Sequence, residues 1–227
     1  MKGRYPHILL NIPHASIGGL HNAGWADYGK LSESVLYLTD WHTDWLFDQG
    51  QPNVAAVAAY LSRFVVDCER LENDPMEKNG QGILYTDFDG NHRTITPEQN
   101  KTLMDYYQAH KQKLHDNLTP NTLLLDCHSF PSDKSDVDIC IGYNDDWSKP
   151  DDETLQTVKN TFEKAGYSVA FNSPYSNSMA PAMPFKYQSM MIELNKRTYM
   201  DEKTLKLLPE AETLRKNISF LYKLLLP

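Results

Sequence analysis

Apolar residues fall along this chain in short runs, separated by stretches in which they recur every three or four positions. The run at residues 7–12, HILLNI, stops at Pro13 and predicts a strand that delivers His14 at its end. Residues 34–49 (SVLYLTDWHTDWLFDQ) hold Val35, Leu38, Trp41, Trp45 and Leu46 at helical spacing and predict one helix, ended by Gln51-Pro52-Asn53. Residues 53–59 and 63–66 predict strands, the second rich in branched and aromatic side chains. Thr96-Pro97-Glu98-Gln99 is a helix start, with Thr96 as cap, Pro97 in the first turn and Gln99 completing a capping box; that helix runs to about residue 117. The run at 123–127, apolar but for Asp126, suits a buried central strand, and 137–141 is another. A helix over 153–165 closes at Gly166, strands follow at 168–170 and 189–194, and Leu205, Leu208, Ala211, Ile218, Leu221 and Leu225 outline C-terminal helices. This alternation predicts a single α/β domain over residues 1–227, with a sheet parallel at least in its middle. Two long irregular segments, 69–92 and 171–188, carry many polar residues and are expected to wall a site.

Composition narrows the function. With 22 basic and 30 acidic residues the net charge is −8, and no basic cluster offers a phosphate backbone a binding face, so nucleic acid is excluded as a partner. The cysteines, Cys68, Cys127 and Cys140, are three in number and unpatterned, which predicts buried free thiols rather than a disulfide framework. The apolar part of MKGRYPHILLNIP is too short for a signal peptide, and no run approaches a membrane span. A soluble, cytoplasmic protein is expected, with no membrane partner.

Ligands of open α/β sheets sit beyond the carboxyl ends of the strands. Here those ends carry His14, then Asp67, Glu69 and Arg70, then Asp126, His128 and Ser129, then Glu193 and Asn195. Two histidines and a carboxylate are a usual catalytic zinc set. His14 and His128 supply the histidines, and Asp40 or His42 of TDWH offers the third ligand. Glu193 is the candidate general base, and Arg63 and Arg70 suit a carboxylate. Each placement also has a structural reading: His42 packs in an amphipathic helix, Asp126 orients a histidine, Arg63 and Arg70 form surface ion pairs, and Glu193 pairs with Lys196 or Arg197.

The ordered set IPHAS (12–16), TDWHTDWLFD (39–48), SRFVVDCER (62–70), GILYT (82–86), LLDCHSFP (124–131), DICIG (138–142), IELN (192–195) and TYM (198–200) resembles the N-formylglutamate amidohydrolase family. The resemblance implies a three-layer α/β/α fold around a mixed, largely parallel sheet, of the phosphorylase/hydrolase-like kind found in zinc carboxypeptidases and aspartoacylase. It implies a zinc-dependent amidase acting on a small N-formyl amino acid. By motif, His14, His128 and Asp40 match the metal ligands, with His42 the rival third. Glu193 matches the catalytic glutamate, with Arg63 as its catalytic partner. Arg63 and Arg70, joined by Asn195 and Tyr175, match the substrate-binding groups. Two positions depart from the pattern: Glu69 stands where an asparagine is usual, and Ser176 where the Pro174–Ser178 loop usually has a lysine. The first puts a negative charge beside Arg70, the second removes a cationic contact, and both are expected to weaken a preference for glutamate. A carboxypeptidase-like peptidase or deacylase is the neighbouring enzyme reading, and a binding protein that kept the fold without the chemistry is the rival from another class.

Overall fold

The chain, seen as a computed structural model, is described over residues 4–227; residues 1–3, part of the N-terminal stretch read above for a leader, lie outside. In order, the elements are β1 (Ile8–Ile12), α1 (Tyr28–Leu38), α2 (Thr43–Phe47), β2 (Val54–Ala58), the two-residue strands β3 (Asp87–Phe88) and β4 (Asn91–His92), and α3 (Pro97–Asn117). There follow β5 (Leu123–Phe130), β6 (Ile139–Gly142), α4 (Asp152–Lys164), β7 (Val169–Phe171), β8 (Gln188–Asn195), the short β9 (Met200–Asp201) and β10 (Lys206–Leu207), and α5 (Glu210–Leu225).

Six strands form one sheet in the order β2-β1-β5-β8-β6-β7. All neighbours are parallel except β8 and β6, so the sheet is mixed and largely parallel, as expected. Side chains alternate across it. Ile8, Leu10 and Ile12 pack with Leu125, Ile192 and the apolar stripe of α5, on the face that α2 and α4 also cover. Leu9, Val57 and Leu124 point the other way, onto Leu114 and Leu118 of α3 and its C-terminal end. Helices on both faces complete the three layers.

Three sequence expectations change. At the C-terminal end one helix forms, α5, and Leu205 and Leu208 precede it. The helix predicted over 34–49 is two, because Thr39 is extended (φ −71°, ψ 135°) and His42 is left-handed (φ 65°). At that break the Asp40 amide donates to the His14 carbonyl (3.0 Å), and the Asp40 carbonyl accepts from the Thr43 hydroxyl (2.8 Å). The break holds Asp40 against the first strand's exit instead of on a helix surface. The strand predicted over 63–66 is a turn, closed by the Val65 and Val66 amides on the Ser62 carbonyl. Phe64, Val65 and Val66 are buried all the same, in a second apolar cluster with Trp25 and Tyr85. Their carbonyls are met by side chains: Arg93 Nη1 donates to Phe64 O and Val65 O, and Trp25 Nε1 also donates to Phe64 O. A short apolar run signals burial but not backbone form.

The capping box at Thr96 is present, with Thr96 Oγ1 accepting from the Gln99 amide and Gln99 Oε1 from the Thr96 amide. Thr96→Ala is expected to cost about 1 kcal/mol. Urea unfolding of the two proteins measures it, and an unchanged midpoint would mean that tertiary packing alone fixes this helix start.

Candidate active site

Parallel pairing sets the centre of the site. His128 on β5 lies directly opposite Glu193 on β8. Neighbours in register share a face, so both side chains project to the same side near the strands' carboxyl ends. His14 follows β1, the other neighbour of β5, and its ring lies 5.1 Å from that of His128, centroid to centroid. The turn after β2 adds Asp67, Glu69 and Arg70. Asp67 and Glu69 are two residues apart and both reach His14: Asp67 Oδ1 bonds Nε2 at 2.8 Å, and Glu69 Oε2 lies 3.7 Å from Nδ1.

Each histidine is thus held between carboxylates. Asp40 Oδ2 lies 3.1 Å from His128 Nδ1 and 3.7 Å from His14 Nδ1. On the far edge of His128, Nε2 lies 3.3 Å from Glu69 Oε1 and 3.2 Å from Asp126 Oδ1. His14 Nδ1 and His128 Nε2 are buried and make no hydrogen bond. Donor atoms of His14, Glu69 and His128 all fall within 4.8 Å of one another, a group able to hold a metal ion. These nitrogens and oxygens face a cavity of about 330 Å³, whose wall includes Arg63, Arg70, Tyr85, Tyr175 and Glu193.

The electrostatics follow from this crowding. Burial pushes the Asp40 carboxyl up, but the hydrogen bond from His128 and the nearby His14 ring win and hold it well below the usual range. Burial likewise opposes ionisation of Asp67, and the charges of His14 and Arg63 overcome it. Glu69 is held down to about 2 against its own desolvation, chiefly by His128. Both histidines are raised although burial alone would lower them, His14 by Asp67 and Asp40 and His128 by Glu69 and Asp126. Glu193 goes the other way: burial, with Asp40 and Glu69 adding to it, pushes it up to about 8. One carboxyl in the cavity is therefore poised to carry a proton while its neighbours stay charged.

The expected site residues divide into those that converge and those that do not. His14, Asp40, Arg63, Arg70, His128, Tyr175 and Glu193 all line the one cavity. Among them, Arg63 Nη2 and Arg70 Nε sit 3.5 and 3.7 Å from Asp67 Oδ2, and the Nε of each has no hydrogen-bond partner. His42 does not join them; its Nε2 is 2.9 Å from the Leu205 carbonyl. Asn195 is also elsewhere: its amide donates to the Ser135 and Val137 carbonyls and its oxygen caps the turn after β8. Asp126 takes the orienting position, bonded to Asn11 and to the Met179 amide. Sequence reasoning missed Asp67 as the partner of His14, and it missed Glu69 as a donor. The available signal was their spacing, since residues i and i+2 of an extended turn share a side.

The cavity is backed by a buried chain. His110 Nε2 meets Asn11 Oδ1 (3.1 Å), and Asn11 Nδ2 donates to Asp126 Oδ1 (2.8 Å), beside His128. Burial, with the Lys113 and His14 charges, pushes His110 down to about 4. The unfolded chain, near 6.5, takes up a proton first as pH falls. The folded state therefore keeps its full stability above that value and loses it progressively down to the lower one. Between pH 7 and 5 the loss should be about 2 kcal/mol. Urea unfolding at both pH values should show a drop smaller by that amount in His110→Gln; identical drops would remove His110 from the account.

The fold and this cavity together define an α/β protein with a histidine–carboxylate centre at the strand ends, the layout of a hydrolase. Residues 7–200 match the family described as N-formylglutamate amidohydrolase, and the chain belongs to that family. Among solved structures, it is similar to an N-formylglutamate amidohydrolase from Ralstonia eutropha, with a TM-score of 0.71 and 19% identity over 96% of this chain and 92% of that one. It is also similar to a gene product of Agrobacterium tumefaciens, with a TM-score of 0.65 and 16% identity over 97% and 92%. At such identities the likeness speaks for the fold. No curated protein matches the sequence. No helix among the described residues is long and apolar enough to cross a membrane, and all three cysteines are free and buried.

Proposed function

We propose that this chain hydrolyses the amide of an N-formyl or other N-acyl amino acid in a metal-dependent reaction. The observation that carries the reading is the pair of buried, unpartnered imidazole nitrogens, His14 Nδ1 and His128 Nε2, grouped with the Glu69 carboxylate beside Glu193. Such atoms are costly to bury unless something binds them. Two histidine nitrogens and one carboxylate oxygen are a usual donor set for catalytic zinc, and the set leaves a coordination position open. Each imidazole is also fixed by a carboxylate on its other nitrogen, Asp67 for His14 and Asp40 for His128. In this reading Glu69 is the third donor. Asp40, the ligand expected from the sequence, orients the His128 ring through Oδ2.

When bound, the ion supplies Lewis acidity to a water molecule and to the amide carbonyl. Glu193 takes the attacking water's proton and returns it to the leaving nitrogen. Its position opposite His128 supports this role. Its high proton affinity reflects burial among carboxylates, and a divalent cation alongside acts in the opposite sense, restoring the basic form. Arg63, with a buried and unpartnered Nε, stabilises the charge that develops on the carbonyl oxygen. Arg63 and Arg70 hold the substrate carboxylate, and Tyr175, its ring tilted 60° against that of Phe130 with centroids 5.8 Å apart, covers the bound molecule. Asn195, bound to its own turn, steadies the strand end that carries Glu193.

The experiment is a screen of N-formyl amino acids, N-acetyl amino acids and dipeptides with zinc added, following the released acid and amine. Turnover of an N-acyl amino acid supports the reading. Turnover of dipeptides alone would move the chain to the peptidases, and binding without turnover would make it a binding protein.

A further inference from the structure

The walls of the cavity carry information about the substrate beyond its amide. Two cations line it, Arg63 and Arg70, and both are already shared with acids. The single oxygen Asp67 Oδ2 lies 3.5 Å from Arg63 and 3.7 Å from Arg70, and it also accepts from the Tyr85 hydroxyl at 3.1 Å. Arg70 Nη1 is further matched by Asp74 at 3.6 Å. What remains for a ligand is the rest of these two guanidiniums, including the buried Arg63 Nε, which has no hydrogen-bond partner, and with Asp67 and Asp74 alongside, their charge is largely balanced. No lysine lines the cavity. Lys134 lies outside it over the Tyr37 ring at 5.2 Å, where the Tyr37 hydroxyl already bonds Asp133, and the buried Lys196 donates its ammonium to the Tyr37 carbonyl. The charged carboxylates of the wall, Asp40 and Glu69, disfavour a second anion.

Much of the rest of the wall is apolar, with Gln81, Tyr85 and Ser129 as its uncharged polar members. Leu38, Phe88, Phe130, Pro131, Tyr175 and Met191 line the same space. Its volume of about 330 Å³ lies at the small end of ligand cavities, which suits a single amino acid derivative. A leucine-sized side chain buried there should gain roughly one to two orders of magnitude in affinity over one left in water. A second carboxylate placed there loses its water and meets no free cation, which should cost roughly tenfold or more.

Building on the function proposed above, we propose that the preferred substrate is an acyl amino acid with one carboxylate and an apolar side chain, and that N-formylglutamate is disfavoured. The test is calorimetric binding of N-formyl-L-leucine and N-formyl-L-glutamate to the zinc-loaded Glu193→Gln protein, which separates recognition from turnover. The leucine compound should bind at least about tenfold more tightly. Asp74→Asn, which removes one acid from Arg70 and can still cap the Met76 amide that Asp74 Oδ1 caps now, should narrow the gap by strengthening the glutamate compound about fivefold. Equal or tighter binding of the glutamate compound, or no binding of either, overturns the proposal. The two proposals fail differently: loss of the hydrolytic reading shows as no turnover of either compound by the wild type, whatever the order of affinities.

Discussion

Glu193→Gln is expected to keep its zinc and to lose roughly 10²-fold or more in turnover. The substitution preserves shape and removes the ability to accept a proton. Glu193 lies in register with His128, yet its Oε2 is buried with no hydrogen-bond partner, as befits a group waiting for a water or a substrate. It is not in the donor group formed by His14, Glu69 and His128. Zinc content by elemental analysis and steady-state turnover on the same sample separate the two roles. Loss of the metal along with activity would make Glu193 a ligand and leave the reaction without its base.

The donor set predicts an order of metal affinities. His14→Ala, His128→Ala and Glu69→Gln each remove a direct donor and should weaken zinc binding by more than about 100-fold. Asp40→Asn removes the group that orients His128, a loss that typically costs about 10–100-fold. The distinction rests on geometry. Asp40 Oδ2 occupies the Nδ1 edge of His128 at 3.1 Å, while the Nε2 edge is unpartnered and faces Glu69. Competition against a chelator of known affinity ranks the four variants. Should Asp40→Asn prove the more damaging of the two carboxylate changes, His128 binds through Nδ1, Asp40 is the ligand, and Glu69 faces the substrate.

Much of this site could be read in the sequence because strand ends converge. Once β1, β5 and β8 are adjacent and parallel, His14, His128 and Glu193 must meet, and short apolar runs are enough to locate those ends. The helix start at Thr96 was equally legible, since a capping box is a local signal. Tertiary detail was not. The apolar run at 63–66 predicts a strand, but Arg93 and Trp25 bind its carbonyls from afar and make it a buried turn. The periodicity through 34–49 predicts one helix, and nothing local announces the left-handed His42 that interrupts it and directs Asp40 inward. Glu69 reads as a lost asparagine until the turn after Asp67 brings it to both histidines.

The central claim is that hydrolysis depends on one metal ion at this centre. The direct measurement is formate or amine release by chelator-stripped protein as zinc is added back in fractions of an equivalent. Negligible release is expected without metal, then a linear rise and a break at one equivalent per chain, with no recovery in His14→Ala. Full activity in the stripped protein, or equal recovery in His14→Ala, would contradict it.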